Sequence, residues 1–148
     1  MSLDGTYDDN NVFALILAGK IPANCIYEDD ATFAFLDIMP QSTGHSLIIS
    51  KWSKARNILE IEDRALSEVM ATTRKVARAL RKALNPDGLQ IAQFNGADAG
   101  QTVFHLHMHV IPRWTGETRG HGLGFKAREM ADKAELAALA EQVRAAFD

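Results

Sequence analysis

The 148-residue chain contains a single cysteine, Cys25, so no disulfide can form within it and a reducing compartment is the simpler expectation. It has no excess of basic residues. Sixteen Lys and Arg against nineteen Asp and Glu leave a net charge of −3, which gives no support to a nucleic-acid-binding surface. It has no apolar run near the roughly 20 residues that a membrane span needs. The opening "MSLDGTYDDNN" lacks the basic-then-apolar order of a signal peptide. Repeats and low-complexity linkers are also missing, so the length suits one domain with a real core. The expectation is a cytoplasmic protein without a membrane partner, in which residues 1–10 form a polar lead-in.

Apolar periodicity supplies the elements. Asp8, Asp9 and Asn10 are placed to cap a short helix through "VFALILAGK", closed by Gly19 and Ile21-Pro22. Strands are expected over 24–29, 32–37 and 44–50, divided by Asp29-Asp30 and by "MPQSTG". A long helix follows, with Leu66, Val69, Met70, Thr73, Val76, Ala77, Leu80 and Leu84 at three- and four-residue spacings. Glu60, Glu62 and Asp63 at its start and Arg78, Arg81 and Lys82 near its end suit the helix dipole, and "NPDG" stops it. Two further strands, 89–95 and 103–111, flank the small-residue loop "GADAGQ", and an alanine-rich tail predicts a C-terminal helix. Together these describe an α+β domain on an antiparallel sheet of about five strands.

The chemistry concentrates in "GQTVFHLHMHVIPRW". His105, His107 and His109 alternate with Leu106, Met108 and Val110, so in a strand the imidazoles share one face, about 6.5–7 Å apart along the backbone. Three readings compete. The face is merely polar, or the rings bind a metal such as zinc, iron or nickel, or they address an anion. No Asp or Glu lies between Ala99 and Gly116 to complete a mixed ligand set. The preceding "NGADAGQT" instead offers glycines for close backbone approach and Asn95, Gln101 and Thr102 as neutral donors, a set that suits phosphate oxygens.

"HLHMHVI" resembles the His-x-His-x-His-x-x signature, with x apolar, of the histidine-triad (HIT) superfamily of nucleotide hydrolases and transferases. The likeness extends over residues 11–114: "IPANCIYEDDATFAFLDIMPQSTGHSLIISK" is similar to the family's N-terminal half and "NGADAGQTVFHLHMHVIPR" to its C-terminal half. Residues 115–148 then form a C-terminal tail and helix. The resemblance implies that His107 attacks the α-phosphorus of a nucleotide and forms a covalent nucleotidyl-histidine that water cleaves. It implies that His109 contacts the phosphate and helps the leaving group depart, while His105 and His45 orient the triad. Asn95, Gly100, Gln101 and Thr102 would hold phosphate or leaving-group oxygens. Asp37 would accept both ribose hydroxyls, or simply cap its turn. Ile38, with Phe13, Ile16 and Phe35, would wall the base or serve as plain core. The family also implies a homodimer with the sheet extended across subunits. His121, Trp52 and Trp114 have no assigned role.

One departure bears on metal. Many bacterial relatives bind structural zinc through a C-x-x-C pair at the first helix and a later histidine; Asn11 and Ala14 stand where those cysteines align, and "SKWSKARN" has no histidine. No metal and no cofactor are therefore expected. The favoured reading is cleavage of a purine nucleoside monophosphate ester or phosphoramidate. A dinucleoside polyphosphate hydrolase and a non-catalytic nucleotide-binding module are the alternatives.

Overall fold

Extended segments of β-branched and aromatic residues pair into one sheet, and the longest amphipathic segment covers one of its faces. In the computed structural model, which describes residues 2–116 and 130–148, the order is α1 (Val12–Leu17), β1 (Cys25–Glu28), β2 (Thr32–Leu36), β3 (Ser46–Ser50), α2 (Asp63–Leu84), β4 (Gly88–Ala92), a 3-10 turn (Ala97–Ala99), β5 (His107–Arg113) and α3 (Lys133–Arg144). The five strands lie in the order β1-β2-β3-β5-β4, every neighbouring pair antiparallel. The last strand in sequence is thus inserted beside β3, away from both sheet edges. The expected α+β architecture is what forms. Among the described residues no helix is long and apolar enough to cross a membrane.

The sheet separates two apolar clusters. Ala34, Leu36, Ile48, Met108 and Val110 face Val69, Val76 and Leu80 of α2 and Leu136 and Val143 of α3. On the opposite face Phe35, Leu47 and Ile49 pack with Phe13 of α1. All five β3 residues are therefore buried, which explains a strand that reads as nearly continuous rather than alternating hydrophobicity. The register Leu47↔His109 and Ile49↔His107 sets both imidazoles on the Phe13 face.

Several sequence expectations shift. The cap of α1 is Asn11, whose side chain accepts from the N–H groups of Phe13 and Ala14. It is not Asp8, Asp9 or Asn10, because only Asn11 reaches the two unpaired N–H groups of the first turn. The last strand begins at His107, not 103, since the Leu106 N–H turns to Ala55 O at 3.0 Å. α2 inserts Ala65, Val69, Thr72, Thr73, Val76, Ala79 and Leu80, while Leu66 is half-buried and Met70 is 42 % exposed. The helix can bury this face because its hydroxyls are satisfied: Thr72 Oγ1 meets Thr32 Oγ1 at 2.7 Å, and Thr73 Oγ1 donates to Val69 O at 2.8 Å. The C-terminal helix starts only at Lys133, capped by the Asp132 carboxylate, which accepts the Glu135 N–H.

The segment expected as a polar lead-in is tied to the domain. Ser2 Oγ accepts the Ala97 N–H at 2.7 Å, Leu3 O accepts Asn57 Nδ2 at 2.9 Å, and Lys54 pairs with Asp9 at 2.8 Å.

Candidate active site

His105, His107 and His109 come together, though not as one strand. His107 and His109 belong to β5, and His105 sits just before it. All three are buried, as is His45, which lies immediately before β3 and beside β5.

Hydrogen bonds decide which nitrogen of each ring carries the proton. His107 Nδ1 lies 2.7 Å from His105 O, and a carbonyl can only accept, so Nδ1 is the N–H and Nε2 holds the lone pair. The His45–His109 pair follows from a backbone amide. Gln41 N–H donates to His45 Nδ1 at 2.9 Å, so the proton of neutral His45 is on Nε2. That proton faces His109 Nδ1 at 2.9 Å, which makes His109 an Nε2–H donor. His105 Nε2 faces Ser50 O at 3.2 Å and is therefore the donor, leaving Nδ1 to accept from Tyr7 OH at 2.7 Å. The result is an Nε2 lone pair on the middle ring beside an Nε2–H on the next, with ring centroids 4.9 Å apart.

Electrostatics keep the rings neutral. Burial lowers His107 to about 4, only partly opposed by the His105 carbonyl. Burial also lowers His45 to about 3, assisted by Arg113 and His107, and His109 to about 2, assisted by His107 and His45. His105 falls to about 4, again mainly through burial. Every imidazole of the cluster is thus uncharged at neutral pH.

Asp37 follows β2. Its N–H donates to His45 O at 2.9 Å, and its Oδ1 accepts the Met39 N–H at 2.8 Å, the turn-capping bond. The other oxygen is 3.6 Å from His45 Nε2, and burial pushes the carboxyl up to about 6. Ile38 beside it leaves half of its surface uncovered. Phe13 and Phe35 belong to the core, with ring centroids 5.3 Å apart, and Phe13 turns an edge to His107 at 4.9 Å and 90°.

The glycine-rich loop corrects the sequence reading. Gln101 is buried and its amide is saturated: Oε1 accepts the Gly96 N–H, and Nε2 donates to Arg56 O and Val103 O. It shapes the loop and has no donor left for a phosphate. The backbone amides of Ala97, Ala99, Gly100 and Gln101 are also engaged within the protein. Gly100, at φ 101°, serves the turn itself, a conformation that favours glycine. Asn95 accepts the Ile58 N–H at 2.8 Å and exchanges bonds with Gln93, which leaves one amide hydrogen. Thr102 is exposed, and no hydrogen bond engages its hydroxyl among the described residues. Trp52 donates to Glu68 of α2 at 2.8 Å, and His121 lies outside the described residues.

Sequence reasoning missed Gln41 and Ser50 because they act through backbone atoms, which carry no signature in residue type. It also missed that a carboxylate reaches the triad. Asp37, His45 and His109 place one ligand atom each within 4.8 Å, the one such group among the described residues. A metal at about 2.0–2.1 Å from each nitrogen needs two converging lone pairs. The space between His45 Nε2 and His109 Nδ1 holds one lone pair and one proton, so an ion would first have to displace that bond. A cavity of about 440 Å³ opens between Asp37, Thr43 and His45 on one side and Glu135, Leu139 and Gln142 of α3 on the other. Neither His107 nor His109 lines it, although His45 does and bonds His109.

Known proteins are similar to this chain in fold and sequence. A Hit-like protein of Bartonella henselae, solved with an unidentified ligand, superposes with a TM-score of 0.87 at 39% identity over 97% of this chain and 100% of its own. A zinc-bound histidine-triad protein of Mycobacterium smegmatis gives 0.79 at 36% identity over 93% and 92%. The adenosine 5'-monophosphoramidase hnt1 of Schizosaccharomyces pombe is 34% identical across 89% of this chain and 94% of its own. With the HIT domain model matching residues 18–116, the chain belongs to the HIT family.

Proposed function

We propose that the chain is a nucleotide hydrolase that cleaves at the α-phosphate of a purine nucleoside monophosphate ester or phosphoramidate through a nucleotidyl-His107 intermediate. The observation that carries this reading is the 2.7 Å bond from His107 Nδ1–H to His105 O, which leaves the Nε2 lone pair as the free electron pair of a neutral ring. That pair forms the P–N bond as the bond from phosphorus to the leaving group breaks. The leaving atom departs with its electrons, accepts a hydrogen bond from His109 Nε2–H and collects a proton from solvent. Nδ1–H, held by the carbonyl, steadies the charge on the substituted ring. Water then attacks phosphorus as the P–N bond breaks and its electrons return to the ring; the water gives up a proton to solvent, and His107 returns as the neutral imidazole. Asp37 accepts the ribose hydroxyls when ionised, Ile38 contacts the base, and Thr102 and the remaining Asn95 hydrogen donate to phosphate oxygens.

The likeness to the fission-yeast monophosphoramidase supports the amine leaving group. Turnover of adenosine phosphoramidates beside diadenosine polyphosphates separates this reading from its alternative. A rapidly quenched reaction of the native chain carries the mass of one nucleotidyl group, and His107→Ala does not; normal turnover by His107→Ala refutes the assignment. The enzyme acts without a bound metal in the cytoplasm, as a homodimer. Ile91 on edge strand β4 and Met70 on α2, 44 % and 42 % exposed, support a partner surface there, and a monomer mass in light scattering would overturn it.

A further inference from the structure

We propose that Tyr7 is a positioning residue for nucleotidyl transfer: its hydroxyl holds His105, the residue whose carbonyl orients His107. The inference rests on the reading of His107 as nucleophile. Two contacts define the side chain of His105. Its Nε2–H meets Ser50 O at 3.2 Å, and its Nδ1 receives Tyr7 OH at 2.7 Å. The shorter of the two comes from Tyr7. One residue's peptide carbonyl, two positions before the nucleophile, then accepts His107 Nδ1–H. Anchoring the His105 side chain at both ring nitrogens thereby helps to hold in place the residue that presents this carbonyl.

The tyrosine is built to stay where it is and to donate. Its ring lies under the Lys54 ammonium at 5.9 Å and tilts 59° to the His105 ring at a centroid distance of 5.7 Å. Burial raises the phenol above its ordinary value, so it remains protonated and a donor at neutral pH. The flanking chain is fixed on both sides: Ser2 and Leu3 bond Ala97 and Asn57, and Asp9 bonds Lys54. A partner 98 residues away thus completes the triad from a segment with no catalytic motif of its own.

Tyr7→Phe keeps the ring and removes only the donor, leaving a buried acceptor on His105. In the full chain, single-turnover formation of the nucleotidyl adduct is expected to slow about ten- to a hundredfold, because small misplacements of a nucleophile are costly. Affinity for AMP should stay within about twofold, since the hydroxyl touches no substrate. In ring-15N spectra the single Nε2–H tautomer of His105 should become a mixture, and the His107 Nδ1–H resonance should move. Lys54→Ala, which loosens the arm by removing the ammonium and its Asp9 pair but keeps the hydroxyl, should slow single turnover by less than about twofold. Equal slowing by both variants would assign the arm a merely structural role and overturn the proposal, as would a Tyr7→Phe protein with native rate and spectra. If the native chain forms no adduct, the hydrolase reading fails; unchanged His105 and His107 spectra in Tyr7→Phe are what would refute the coupling itself.

Discussion

Replacing His45 by leucine removes the donor that holds His109 in its Nε2–H form while keeping a buried side chain of similar bulk. His45 is 2 % exposed, so its loss leaves two polar atoms stranded, the Gln41 N–H and His109 Nδ1. A buried group without a partner costs about 1–3 kcal/mol. The Gln41 part of that cost falls on stability and is read as a lower denaturation midpoint. The His109 part is relieved by rotation or by moving the proton to Nδ1, and either change takes the N–H away from the leaving group. If the full 1–3 kcal/mol appears in the transition state, the rate falls about 5- to 150-fold. The assay is kcat/KM across a series of adenosine monophosphate derivatives whose leaving groups span a range of acidity. A leaving group that departs easily needs little help, so the loss should be small for an acidic phenol and largest for an amine. His45→Gln, whose amide N–H can occupy the position of Nε2–H, should recover part of the activity. An equal loss for every leaving group, or no loss with the amine, would refute the tautomer relay from Gln41 to His109.

Other outcomes follow from the same geometry. Burial holds His107 and His105 at about 4, so the unfolded chain, with histidine near 6.5, binds protons first. This contribution to stability is complete above pH 6.5 and lost as pH falls through 4, on the order of a few kcal/mol, and denaturant melts across that window measure it. Asp37 has the opposite sign: raised from 3.8 to about 6, it favours the fold at low pH and ceases to do so above 6, so Asp37→Asn should steepen the acid loss. A methyl group at Gly44, where φ is +89°, would stand 2.6 Å from Leu84 Cδ1. Gly44→Ala should therefore cost about 1–3 kcal/mol, read from the thermal midpoint. Exhaustive chelation should leave turnover unchanged, and activity that disappears and returns with zinc would make the Asp37, His45 and His109 group a metal site.

Alternation in "HLHMHVI" was enough to set His107 and His109 on one face with Met108 on the other, because side-chain direction in a strand has a period of two and needs no knowledge of the partner strand. The same local logic located the five strands and the long helix. It also carried the resemblance, since motif and strand context lie within a few residues of one another. Strand ends and donor states were not accessible in this way. His105 leaves the ladder because the next amide is claimed by Ala55, and Asn11 caps α1 because of where its side chain reaches, not because of its type alone. Gln101 looked like a phosphate ligand because an amide is a donor in any context; the fold closed it around Gly96, Arg56 and Val103.

The sequence alone determined the α+β fold and the shared strand face of His107 and His109, for burial and strand parity are written residue by residue. Only the tertiary structure decided which nitrogen of each ring bears the proton. That choice depends on carbonyls and amides at Gln41, Ser50 and His105, identical in every residue and distinguishable only by position in space.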